Sequence, residues 1–182
     1  MNHNELQAVL DNARLLYDEE QIAEAIARMA ERINERLAGT LPLVFCVMNG
    51  GVIFTGHLAP KLRFPLQLEY MHATRYREQL SGADLQWRVK PTLSLSGRTV
   101  LILDDIFDEG ETLAQIHAWC REQGATEVLT AVLVEKQHDR KTASLQSADF
   151  TALYADDKYL FGYGMDYKGY LRNAPGIYAV ES

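Results

Sequence analysis

Residues 103–112 read LDDIFDEGET, and five of these ten residues are acidic. The apolar run TVLI precedes them and LAQIHAWCREQ follows. A short run of β-branched and aliphatic residues, a glycine, then apolar residues at helical spacing is the punctuation of a buried strand, a turn and a helix. The turn has the form of a phosphate receiver. Gly110 permits positive φ or close backbone approach, and the helix after it opens with unbonded N–H groups that bind anions without a lysine. Thr112 adds a hydroxyl donor. The GxxxxGK[ST] pattern is absent, which argues against an ATP-hydrolysing P-loop. Asp104 and Asp105 repel phosphate, but they accept hydrogen bonds from vicinal sugar hydroxyls and suit Mg²⁺. A ligand carrying phosphate, ribose and metal would use both halves of this turn. Asp108 reads equally as the N-cap of the helix and as a group exchanging a proton at the sugar.

The rest of the chain repeats the strand–turn–helix unit. Apolar Ile22, Ile26, Met29, Ile33 and Leu37 recur at three- and four-residue spacing, which predicts a helix over 20–37 ended by Gly39. LVFCVM (43–48) is a buried strand that stops at NGG, before a helical stretch over 52–62. QLEYMHA (67–73), 86–93 and VLTAVLVEK (128–136) read as further strands, and TRYREQLSGAD (74–84) as a loop. Apolar strands separated by helices predict an α/β fold, a mostly parallel sheet covered on both faces. In such sheets ligands bind beyond the carboxyl ends of the strands. That rule selects Asn49, Gly50 and Gly51, the acidic turn, and Lys136. The tail from Asp149, with KYLFGYGMDYKGYLR, is too irregular for the repeating unit and is predicted to cap the crevice.

At 182 residues and 47% apolar content the chain fits one domain with a sizeable core. Its net charge of −7 argues against a broad nucleic-acid or anionic-membrane footprint, so a small-molecule partner is expected. Cys46 and Cys120 have no CxxC spacing and read as buried thiols. No apolar run reaches the roughly 18 residues of a membrane helix, and a polar, acidic start leads us to expect a cytoplasmic protein. His72, His117 and His138 fall at no paired metal spacing and are assigned no role; Trp87 and Trp119 are read as packing.

ILDDIFDEGETL resembles the phosphoribosyl pyrophosphate signature of type I phosphoribosyltransferases: an apolar strand, two acids, two apolar residues, Asp, a small residue, Gly, any residue and Thr. VMNGG, TRYREQLSG, VEKQ and YLFGYGMDYKGYLR, in that order, are similar to the hypoxanthine-guanine phosphoribosyltransferases, over about 43–172. The resemblance implies a single domain over 1–182, with a core over about 40–145 and a small hood from about 1–20 and 150–182. It implies transfer of a phosphoribosyl group from phosphoribosyl pyrophosphate to a 6-oxopurine with Mg²⁺, giving IMP or GMP, in a homodimer or homotetramer. By similarity, Asn49, Gly50, Asp104, Asp105, Asp108, Glu109, Gly110, Glu111, Thr112 and Arg172 hold the donor. Lys136, Tyr159, Leu160 and Asp166 hold the purine, and Asp104, Asp105 and Asp166 surround the metal. Asp108 handles the purine proton, and Thr74, Arg75 and Tyr76 belong to a closing lid.

Taken without the resemblance, Lys136 is a surface lysine paired with Glu135, and the tail aromatics are hood core. Three departures stand out. Asn49 replaces a lysine that several members carry, Arg75 replaces a common serine, and Glu109 replaces a common threonine while Glu111 adds charge. Arg75 is expected to compensate for Asn49. A xanthine-preferring enzyme and a nucleic-acid-binding regulator of the same fold are the alternatives; a phosphoacceptor domain leaves the glycine, threonine and tail unexplained.

Overall fold

In a computed structural model, residues 1–75 and 85–181 are described. Six strands form the main sheet: β2 (Leu43–Val47), β3 (Gln67–Arg75), β4 (Leu85–Val89), β5 (Thr99–Phe107), β6 (Glu127–Gln137) and β7 (Phe150–Asp156). Their order is β4-β3-β2-β5-β6-β7. All neighbours are parallel except β3 with β4. A smaller antiparallel sheet joins β1 (Arg14–Tyr17), β9 (Ile177–Ala179) and β8 (Leu160–Phe161). The tail boundary therefore needs correction. Residues 150–156 alternate buried and more open positions and close the edge of the main sheet, so the hood starts after Asp156. The Tyr17 hydroxyl donates to the Tyr154 carbonyl at 2.6 Å, tying the hood to that edge.

The helix predicted over 20–37 is α2 (Glu19–Leu37), which follows α1 (His3–Asn12) and β1. Asp18 caps it, accepting from the Gln21 N–H while the Gln21 side chain returns the bond. Ile22, Ile26, Met29, Ile33 and Leu37 are fully buried and pack with Val44, Leu101, Leu103 and Leu133. At about 2 kcal/mol per side chain, this stripe supplies on the order of 10 kcal/mol, as an upper bound. The opposite face of the sheet buries Phe45, Val100, Ile102 and Val132 under Leu113, Ile116 and Cys120 of α4 (Glu111–Glu122). Successive β5 residues alternate between these two cores, as the pleat requires.

The helix after β2, α3 (Gly51–Leu58), covers the first face, whereas α4 after β5 covers the second. β2 and β5 are neighbours, so the direction of winding reverses between them, and a crevice opens there at their carboxyl ends. The helix predicted over 52–62 stops at Leu58 and ends in one 3-10 turn, Ala59–Lys61, because Pro60 cannot continue the ladder. Among the described residues no helix is long and apolar enough to cross a membrane.

Candidate active site

β5 does not stop before the acids. Its ladder with β6 runs through Asp104, Ile106 and Phe107, so Asp104 and Asp105 lie within a strand rather than in a loop. Burial pushes the Asp104 carboxyl well above its usual range, and the Asp105 charge adds to that. Burial raises Asp105 too. Backbones crowd around this pair. A Cβ on Gly50 would lie 1.9 Å from Asp105 Oδ2, and one on Gly164 would lie 2.2 Å from the Gly50 carbonyl oxygen. Only glycine lets the turn after β2, the end of β5 and the hood approach so closely. The Met48–Asn49 peptide bond in that turn is cis.

Beyond Asp108 the chain turns at Gly110, whose φ is +80° and whose Cβ would strike the Phe107 ring at 2.4 Å. Gly110 is the N-cap of α4 and offers no side chain, so no side chain caps the first turn, whose N–H groups point into the bend. Asp108 is thus not the cap. Its Oδ2 accepts from Lys136 Nζ at 2.9 Å, and its Oδ1 meets His138 Nε2 at 2.8 Å. Burial raises the Asp108 carboxyl, but the Lys136 and His138 hydrogen bonds outweigh it and leave the group below its ordinary value.

Register explains these contacts. Phe107 pairs with Glu135, which brings Asp108 beside Lys136, and side chains two apart on β6 share a face. Glu135 points the other way. It accepts from the Thr151 hydroxyl at 2.8 Å and pairs with Lys141 at 3.6 Å, so the Lys136–Glu135 pair does not form. Asp157, just past β7, lies 3.8 Å from Lys136 and grips Arg140 at 2.5 and 3.1 Å. Asp108, His138 and Asp157 bring their ligand atoms within 4.8 Å of one another. Lys136 and Arg140 fill that acidic space, which makes it an ion-pair network rather than a metal centre.

A cleft of about 460 Å³ runs from the Asn49–Gly50 turn past Asp104 and Asp105 to Thr112 at the N-terminus of α4, with Arg172 on its hood side. Glu109 and Glu111 line it as well. Glu109 lies 3.7 Å from Arg140, which gives its charge a partner. A second pocket of about 190 Å³ is lined by Lys136, Tyr159, Leu160, Met165 and Asp166. The two cavities share Asp105, Ile106, Asp108 and Asp166. Every purine candidate therefore converges on one pocket, and the donor candidates converge on its neighbour. Arg172 is committed locally: it donates to the Gly164 carbonyl at 2.6 Å and to Asp166 Oδ1 at 2.7 Å, and stands 4.0 Å from Asp105. Asp166 Oδ2 also accepts from the Gly169 N–H at 2.7 Å.

A family profile described as a phosphoribosyl transferase domain matches residues 13–166. The chain belongs to the phosphoribosyltransferase family. A hypoxanthine-guanine phosphoribosyltransferase of Aquifex aeolicus is 30% identical to it over 92% of this chain and 94% of that one. A hypoxanthine-guanine-xanthine phosphoribosyltransferase of Tritrichomonas foetus is 27% identical over 92% and 91%. In fold, a hypoxanthine phosphoribosyltransferase of Staphylococcus aureus matches with a TM-score of 0.88 at 21% identity, covering 99% of this chain and 97% of that one. The enzyme thus combines a type I phosphoribosyltransferase sheet with the clefts described above.

Sequence reasoning missed four residues that the structure places around the two cavities. His138 and Asp157 stand around Asp108 and Lys136, and His72 and Arg88 line the large cleft. The spacing of Lys136 and His138, two apart at a strand end, was the available signal for one of them. Trp87 and Trp119 pack together with ring centroids 4.8 Å apart, and both cysteines are buried, as expected. Of the lid, Tyr76 and residues 77–82 lie outside the described residues, as do the side chains of Thr74 and Arg75.

Proposed function

We propose that this enzyme transfers the phosphoribosyl group of phosphoribosyl pyrophosphate to N9 of hypoxanthine or guanine, forming IMP or GMP and releasing pyrophosphate. The observation that carries the reading is the shared wall of the two cavities, where a donor in one and a base in the other meet over Asp105 and Asp108. The 5′-phosphate takes the first-turn amides of α4 and the Thr112 hydroxyl, and the ribose hydroxyls take Asp104 and Asp105. The leaving pyrophosphate takes the amides of the Asn49–Gly50 turn and the Arg172 guanidinium.

Asp104 and Asp105 fit Mg²⁺: they are hard oxygen donors whose burial and mutual repulsion a cation would relieve. Asp166 would join that set through the lone pairs left beside its bonds from Gly169 and Arg172. When bound, Mg²⁺ neutralises charge on the pyrophosphate oxygens.

The C1′–O bond breaks with its electron pair leaving on pyrophosphate, the purine N9 bonds to C1′, and the proton on purine N7 passes to the Asp108 carboxylate. Positioning and electrostatic stabilisation supply the rate, without a covalent intermediate on the protein. Lys136 turns its ammonium from Asp108 to the 6-oxo group. Adenine presents an amino donor there and is rejected. Tyr159 stacks on the base and the Leu160 backbone meets its polar edge. The test is Lys136→Gln, which is expected to lower kcat/KM for hypoxanthine by about tenfold or more. An unchanged value removes Lys136 from base recognition.

A further inference from the structure

Lys136 and His138 each take one oxygen of Asp108, at 2.9 and 2.8 Å, from a strand end where both side chains are almost sealed, 11% and 6% exposed. The two bonds are not equivalent. Lys136 has a second carboxylate, Asp157, at 3.8 Å, and its ammonium has three donors on a flexible stem. His138 has one fixed ring. Its Nδ1 accepts from the Arg140 backbone N–H at 3.1 Å. An imidazole nitrogen that accepts from an amide carries no proton, so the ring proton sits on Nε2 and points at Asp108 Oδ1. The amide that enforces this is itself held in place. Arg140 is clamped by both oxygens of Asp157 at the end of the neighbouring strand and lies 3.7 Å from Glu109.

We propose that His138 is a positioning residue: as a tautomer-locked Nε2–H donor it anchors Oδ1 of Asp108, so that Oδ2 is the oxygen that receives the purine proton once Lys136 turns to the base. The inference rests on the role given to Asp108 in the proposed function. The terminal torsion of an aspartate is broad and two-fold, so a carboxylate that loses its only donor swings. With Lys136 withdrawn, His138 is the donor that keeps the Asp108 plane fixed. His138 lies with Asp108 and Asp157 at metal-ligand spacing, but Lys136 and Arg140 already pair with those two acids, so the ring serves Asp108.

The test compares His138→Gln, whose amide N–H can replace the donor, with His138→Leu, which fills the space without one. Saturating hypoxanthine and phosphoribosyl pyrophosphate are used. His138→Leu is expected to lose kcat by about tenfold or more with the KM for phosphoribosyl pyrophosphate within about twofold, and His138→Gln to stay within about threefold of the parent. Full kcat in His138→Leu overturns the proposal, as does an equal loss in both variants. Should His138→Leu fail to fold, long-range proton–nitrogen NMR of the unmodified protein decides. A proton on Nε2 is expected, and a proton on Nδ1 overturns the proposal. An unmodified enzyme that makes no nucleotide from any purine sinks the proposed function instead, a result distinct from either tautomer.

Discussion

Replacing Asp108 by asparagine removes the charge while keeping the shape. Asn offers one acceptor oxygen where the carboxylate offers two, so either Lys136 or His138 loses its partner. Charge-assisted hydrogen bonds contribute about 1.5–3 kcal/mol when buried, but the Asp108 side chain is 43% exposed, and solvent screening brings the loss to about 1 kcal/mol. Asp157 at 3.8 Å also remains near the Lys136 ammonium. For a chain of 182 residues that loss corresponds to a fall in melting temperature of about 2–4 °C. Catalysis suffers more. An amide takes up no proton from N7, and general-base removal is worth about 10²-fold at the low end, or ~2.7 kcal/mol. The assay is steady-state transfer to hypoxanthine alongside thermal unfolding of the same preparation. Turnover within about threefold of the parent would refute the role given to Asp108. So would a fall in melting temperature above about 10 °C, because the residue would then act through the fold.

Other substitutions separate charge from space. Asp104→Asn is expected to raise the melting temperature at neutral pH while lowering turnover. Burial, then the Asp105 charge, raises the folded Asp104 carboxyl, so its contribution is fully present below the unfolded value of 3.8 and is lost as pH rises through the folded value. The stability gain of Asn must therefore vanish in acid, and a gain independent of pH would contradict the assignment. Gly50→Ala places a methyl 1.9 Å from a movable carboxylate oxygen, whereas Gly164→Ala meets a backbone carbonyl at 2.2 Å at a φ of +109°. The first is expected to raise the KM for phosphoribosyl pyrophosphate with a small change in melting temperature, and the second to destabilise the fold by about 2 kcal/mol or more. Equal melting temperatures for the two variants would show that the hood does not rest on the glycine turn.

The sheet was legible because its central strands are buried on both faces. LVFCV, TVLILD and VLTAVLVEK carry unbroken apolar runs that leave little choice, and α2 carries a clean stripe. Asp104 and Asp105 misled at the boundary. Two acids look like a turn, yet β5 still pairs with β6 at Asp104, Ile106 and Phe107 while both acids line the cleft. FTALYAD alternates as a strand does, but it follows a polar loop at the sheet edge and merges into an aromatic tail, so composition hid it. Within the site, each donor or purine candidate was marked by its position after a strand or by resemblance. The pairing of Asp108 with Lys136 was not, because their 28-residue separation is bridged only by the register of β5 on β6. Arg172 and Asp166 pair for the same kind of reason: the hood must fold before their six-residue separation becomes 2.7 Å.

The central claim is that a phosphoribosyl donor and a 6-oxopurine meet over Asp105 and Asp108. A spectrophotometric assay of adenine, hypoxanthine, guanine and xanthine, each with phosphoribosyl pyrophosphate and Mg²⁺, tests it most directly. Nucleotide formation from hypoxanthine or guanine, with none from adenine, is the predicted result. No nucleotide from any of the four, or adenine as the preferred base, would contradict the account.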